Sequence, residues 1–387
     1  MQALQAGAPL DGLAGISGHI LGEGRTHADR ERVNDLDSLP APVFPFVRES
    51  PEGPALFYDR AERRLKRATA LVTSRSCPFR CSFCAIILIG RKWRKMSSER
   101  IISDLEALER DAGTVFEHIY FLDANFFVDY RRSLAIARAL NTYRPGITFS
   151  FSTRVNQLLH GRSALPELVA NGLRAVELGI ESGSDSALLR FTKDVTSAQN
   201  EQAIALLREH GVQLFLDFIM FDAEATLDDV AANLAFLERN GLDTYVPWDH
   251  LFSYMTPYLG TAIRDHYERT LGIQLQVDEL PDPQNLLLDP TVRHIFNEFW
   301  RLRTFIPRLA EAVQQLERRL TDPWSIEIAR AKLNAVAFRR LPFLALSSLV
   351  RQARAGETPT LQRAIPQLHD DRHRSRRLDE VLDYALH

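Results

Sequence analysis

Between residues 68 and 270, short runs rich in β-branched and aromatic residues alternate with amphipathic helical stretches, and no other feature limits the fold as strongly. The strands read as TALVTSR (69–75), HIYFLD (118–123), TFSFSTR (148–154), AVELGIES (175–182), VQLFLDFIMF (212–221) and TYVPWDHLFSY (244–254). Helices read over 97–113, 130–143, 166–172, 197–211 and 227–241, the first with Ser at its start and Gly at its end. Such alternation indicates repeated β-α units around a parallel sheet. The expected fold is α/β, a partial (β/α)6 TIM-like barrel over 68–270. Periodicity alone does not separate that from an open doubly wound sheet.

The flanks differ. Residues 1–67 read as an irregular extension, with NDLDSLPAPVFPF (34–46) as a linker and the basic DRAERRLKR (59–67) as a solvated helix or loop face. Residues 271–387 read as mainly helical, over 291–320, 325–341 and 343–356, with a charged tail ending in a short helix. These helices would cap the open side of the barrel, form a dimer interface or simply pack. Lys and Arg number 47 against 50 Asp and Glu, and a net charge of −3 points to neither nucleic acid nor a membrane surface. No apolar run approaches the roughly 20 residues that span a bilayer. The opening MQALQAGAPLDGLAG lacks the basic start and apolar core of a signal peptide.

All three cysteines of the 387-residue chain, Cys77, Cys81 and Cys84, lie in the eight residues CPFRCSFC. An odd number confined to one loop is no disulfide framework, and a reducing cytoplasm is the expected compartment. A structural zinc site takes four ligands, and the nearest histidine, His118, sits at the start of a strand. An iron–sulfur cluster is the other candidate, because thiolates are its ligands. With three thiolates on a four-iron cube, one iron stays open to a substrate or cofactor. The loop also follows the first strand directly, at the end where β/α barrels place their chemistry.

C-x3-C-x2-C with Phe83 before the last cysteine resembles the signature of the radical S-adenosylmethionine (SAM) superfamily. The resemblance covers residues 65–265 and is closest to the cobalamin-associated subgroup. GRKWRKMSSERIISDLEAL (90–108), FLDANF (121–126), FSTRVN (151–156), VELGIESGSDSALLRFTKDVT (176–196), FIMFDAEATLDDV (218–230) and TPYLGT (256–261) carry it. FLDANF has Ala124 where the subgroup's FxDDxF has a second Asp. FDAEAT (221–226) stands where many relatives carry a Gly-rich turn, which puts the adenine contacts in question.

The resemblance implies a [4Fe-4S] cluster on Cys77, Cys81 and Cys84, with SAM on the fourth iron. One electron then cleaves SAM to a 5′-deoxyadenosyl radical that takes hydrogen from substrate. It further implies that Asp123, Ala124 and Asn125 meet the methionine amine, largely through backbone. Arg154 would fork onto the carboxylate. Ser152 and Glu181 would bond the ribose or the methionine end, and Ile219 and Met220 would bed the adenine. Against this, Arg154 and Glu181 could pair with each other, and Ile219 and Met220 could be core. Asp217, Tyr245, Trp248, Asp249, His250 and Tyr254 lie near the ends of strands five and six, where substrate would sit. Tyr254 is the candidate to return a hydrogen to a product radical.

Bound cobalamin is not expected. Only 76 residues precede Cys77, without strand–helix alternation, whereas a doubly wound cobalamin domain needs on the order of 100. SGHILG (17–22) offers His19 and Gly22 of the D-x-H-x-x-G motif but has Ser17 in place of Asp. No further cysteine serves an auxiliary cluster, which weighs against a peptide substrate. The expected activity is hydrogen abstraction from a small molecule (rearrangement, epimerisation, oxidation or ring formation), driven by a flavodoxin- or ferredoxin-like reductant. The alternatives are a methyltransferase using cobalamin, free or from a partner, and a non-catalytic scaffold retaining the fold.

Overall fold

The structure is a computed structural model that describes residues 32–43, 55–90, 92–244, 248–272, 275, 282–305 and 326–364. The motif at 17–22, Tyr245 and the charged tail lie outside these residues. Among the described residues eight strands are formed: β1 (Leu56–Asp59), β2 (Arg64–Leu71), β3 (Ser74–Arg75), β4 (Arg94–Lys95), β5 (His118–Phe121), β6 (Thr148–Arg154), β7 (Leu173–Glu181) and β8 (Gln213–Phe218). The main sheet runs β1-β2-β5-β6-β7-β8, and β3 and β4 make a separate ribbon. β2, β5, β6, β7 and β8 are parallel across this sheet, while β1 pairs antiparallel with β2.

Burial decides between barrel and open sheet. Ile119, Phe121, Phe149, Phe151, Val176, Leu178, Leu214 and Leu216 alternate along the strands and are buried with the helices in one core. The intervening positions carry Ala70, Tyr120, Ser152, Glu177, Phe215 and Asp217, which are half-buried or exposed, and the small or polar His118, Ser150 and Ala175, which are buried. A doubly wound sheet is covered by helices on both faces and reads as continuous apolar runs. Here helices cover one face and the polar face lines the concave side of a curled half-barrel.

Local signals set the helix ends. Ser97 accepts from the Arg100 amide at the start of Ser98–Ala112, and Gly113 closes that helix with φ 66°. Thr196 and Thr226 form capping boxes with Gln199 and Asp229.

Three expectations change. DRAERRLKR is neither helix nor loop but the turn and second strand of the β1–β2 hairpin. Its Lys66 is fully buried, paired with Asp59 at 2.7 Å and Glu62 at 2.6 Å, so its charge hides a strand's inward position. Among the described residues the sixth strand shrinks to one parallel bridge, Phe221 to Tyr254, and Trp248–Leu251 turn as a helix. There, Phe296 of the helix Pro290–Trp300 meets Phe221 edge-on at 5.1 Å, and Phe299 stacks on Phe252 at 4.2 Å. Finally, Ile326–Arg354 is one helix that runs through Pro342.

Candidate active site

The cysteine loop lies at the carboxyl end of β2 and is pinned from three sides. Asp123, just beyond β5, accepts from the Thr73 and Ser74 amides at 2.6 and 3.0 Å and from their hydroxyls at 2.7 and 2.8 Å. Ser82 donates its amide to Phe191 O and its hydroxyl to Arg190 O, fastening the loop to the end of the helix Asp185–Arg190. The Ile263 amide donates to Ser82 O from the TPYLGT side.

All three cysteines are free thiols, Cys81 buried and the others half-buried. Burial pushes the Cys77 and Cys84 thiols above their usual range. Among the described residues no three His, Cys, Asp or Glu side chains converge on a single-ion site. Zinc needs its donors around one point, whereas a cube presents separate iron corners to separate thiolates. A second observation fits a cluster. Asn125 is fully buried, and its Nδ2 has no oxygen or nitrogen partner among the described residues; it faces the Cys77 thiol, where it can donate to a thiolate sulfur.

Arg154 and Glu181 are brought to the loop but do not pair with each other. The Arg154 guanidinium donates to Cys81 Sγ and to Lys193 O, bonds Asn156 Oδ1 at 3.3 Å and stacks 4.3 Å from the Phe79 ring centroid. Glu181 accepts from Lys193 Nζ at 2.7 Å. Three non-glycine residues around this pair take left-handed backbone: Glu181 at φ 62°, Thr192 at 52° and Asp194 at 54°. Such strain gathers where a side chain must be aimed. At Glu181 the β7–β8 register also shifts, and the Ile219 amide donates to Glu181 O at 2.7 Å.

The two apolar candidates separate. Ile219 packs, half-buried, with Phe83 on a small cluster of Ala187, Phe191, Ala223, Met255 and Ile263, whereas Met220 lies in the main core. The FDAEAT turn is held without glycines. Asp222 accepts two bonds from Arg190, and the Ala223 amide donates to the Tyr267 hydroxyl. Ser152 turns to the concave face, where it and Tyr120 bond the Glu177 carboxylate. Burial, and then the carboxylates of Glu181 and Glu177, push the neighbouring Asp217 carboxyl up to about 8. Tyr254 is half-buried against the main core, and His250 lies on the short helix Trp248–Leu251.

Lys193, Phe79, Tyr120 and Glu177 escaped the sequence reading as site residues. Glu177 and Tyr120 were recoverable, since each is a polar side chain at an inward position of an apolar strand. Lys193 was not, because its placement rests on the left-handed residues on either side of it.

Residues 71–237 match the family model described as the radical SAM superfamily. An uncharacterized methyltransferase of Pyrococcus horikoshii is 28% identical over 267 residues, 69% of this chain and 54% of the relative. The 4′-phospho-dehydrooxetanocin synthase of Priestia megaterium is 30% identical over 234 residues, 55% of this chain and 30% of the relative. The chain thus spans about half or less of the length of these curated relatives. Among solved structures, OxsB, a cobalamin-dependent S-adenosylmethionine radical enzyme, superposes with a TM-score of 0.71 at 19% identity. That match covers 99% of this chain and 65% of OxsB, and at this identity it speaks to the fold.

Proposed function

Because this chain carries the radical SAM domain of an enzyme superfamily, we propose that it uses a [4Fe-4S] cluster on Cys77, Cys81 and Cys84 to act on a small molecule by hydrogen abstraction. When bound, that cluster supplies the electron that cleaves SAM to methionine and the 5′-deoxyadenosyl radical. The observation that carries this reading is the three-thiol loop, pinned at the mouth of a polar-lined half-barrel and faced by the Asn125 Nδ2 group, which has no oxygen or nitrogen partner among the described residues.

The chain's own groups then divide the binding. Glu181 and Lys193 already form an ion pair, and a methionine zwitterion can take its place charge for charge, amine to Glu181 and carboxylate to Lys193. Phe83 and Ile219 offer the apolar bed for adenine. Asp123 cannot reach the amine with its carboxylate, which is fully engaged by Thr73 and Ser74. The concave face, with Tyr120, Ser152, Glu177 and Asp217, is the surface for the substrate. A one-electron donor of the flavodoxin or ferredoxin kind is required by the chemistry. The free thiols favour a reducing compartment, the cytoplasm, and among the described residues no helix is long and apolar enough to cross a membrane.

A second reading, cobalamin-dependent methyl transfer, is favoured by the methyltransferase relative and by the likeness to OxsB over nearly the whole chain. One experiment tests both. The protein is reconstituted anaerobically with iron and sulfide, then incubated with SAM and a strong reductant, with and without cobalamin. 5′-Deoxyadenosine formation that is absent in Cys81→Ala supports hydrogen abstraction. S-adenosylhomocysteine that needs added cobalamin supports methyl transfer. An intact cluster with neither product sinks both and leaves a scaffold.

A further inference from the structure

Arg154 ends β6 with its side chain turned into the cysteine loop and only 5% of the residue exposed. Its contacts are all to fixed parts of the protein: Cys81 Sγ, the Lys193 carbonyl, Asn156 Oδ1 and the face of Phe79. Among the described residues no carboxylate pairs with it, and Glu181 is taken by Lys193. The positive charge beside Cys81 is therefore uncompensated. A planar fork already bonded on two edges and stacked on a ring is poorly placed to swing onto an incoming carboxylate. Lys193, on a flexible stem, is the better placed of the two cations for that task.

We propose that Arg154 is a cluster-side cation, a positioning residue that stays on the Cys81 thiolate when the cluster is bound and raises the ease with which the cluster takes its electron. The inference rests on the [4Fe-4S] reading of the three cysteines. Hydrogen bonds to ligand sulfur and nearby charge are among the terms that set an iron–sulfur potential. A guanidinium supplies both at one atom. Phe79 and the Lys193 carbonyl hold it there, and this also ties the cluster's electronics to the segment that carries the Lys193 ammonium.

The test is an EPR-monitored redox titration of the reconstituted full chain without SAM, followed by SAM addition. For Arg154→Gln the ratio of reduced to oxidised cluster at a fixed potential should fall at least tenfold. For one electron that is a midpoint lower by about 59 mV. Arg154→Lys, which keeps the charge but not the fork, should fall between that and the wild type. The change that SAM makes in the EPR signal should persist in both. An unchanged SAM-free midpoint in Arg154→Gln, with the SAM-induced change lost, would overturn the proposal and return Arg154 to the SAM carboxylate. Should Arg154→Gln lose its iron, Phe79→Leu decides by the same rule: a lowered midpoint supports the proposal and an unchanged one overturns it. A wild-type protein that yields no [4Fe-4S] signal would instead sink the reading beneath it, so the two failures are distinct.

Discussion

Asp123 uses all of its carboxylate on four donors from Thr73 and Ser74, at the point where β2 gives way to the cysteine loop. A carboxylate has about four lone-pair sites, so none remains for a cofactor. Asp123→Ala would leave two amides and two hydroxyls without their acceptor in a fully buried place. A loss of about 3 kcal/mol or more is expected, read as a lower urea midpoint at unchanged slope. A loss well under 1 kcal/mol would mean that water reaches those donors. The family resemblance put Asp123, Asn125, Arg154 and Glu181 at the cofactor, on positions near strand ends at the barrel's mouth. It did not show which partner each side chain takes. Arg154 turns to sulfur and Glu181 to Lys193, choices made by packing and by the left-handed residues around Lys193.

The element that shapes the site most is the end of β7 and the turn that follows it. Glu181 takes φ 62° and the register slips, and Ser182 and the Gly183 amide both donate to Asn233 Oδ1 at 2.7 Å. A Cβ at Gly183 would fall 2.2 Å from Phe236 Cβ, so only glycine lets this turn lie against the helix Leu227–Arg239. Gly183→Ala should cost roughly 1–3 kcal/mol through overpacking. It should also weaken SAM binding by tilting Glu181, and calorimetry on the cluster-loaded protein would show both. Unchanged stability would place the helix further from the turn. Elements with strong local signals were legible almost to the residue: Tyr130–Tyr143 and Thr148–Arg154 fall where periodicity put them. The β1–β2 hairpin was not, because Lys66 looks like a surface charge until Asp59 and Glu62 are seen beside it. Nor was the shortening of the sixth strand among the described residues, where Phe221 and Phe252 find aromatic partners far along the chain.

For the molecule as a whole, the concave face sets a pH dependence. Asp217 is held near 8 by burial and by the facing Glu181 and Glu177, with Lys193 opposing, against 3.8 for a free Asp. Between those values the unfolded chain releases a proton that the folded one keeps, so this group makes stability fall as pH rises and level off above 8. Asp217→Asn removes that slope. The Tm of the variant should gain on the wild type steadily from pH 5 to pH 8, and a constant gap would show that Asp217 is ionised throughout. Such a carboxyl is tolerated because the face it occupies is separate from the one that folds the protein. Phe149, Phe151, Val176, Leu178 and Leu216 point outward into the core, while Tyr120, Ser152, Glu177 and Asp217 point inward. A lineage carrying this half-barrel is thus free to exchange its lining one side chain at a time, taking on new molecules while the helices and the cysteine loop stay as they are.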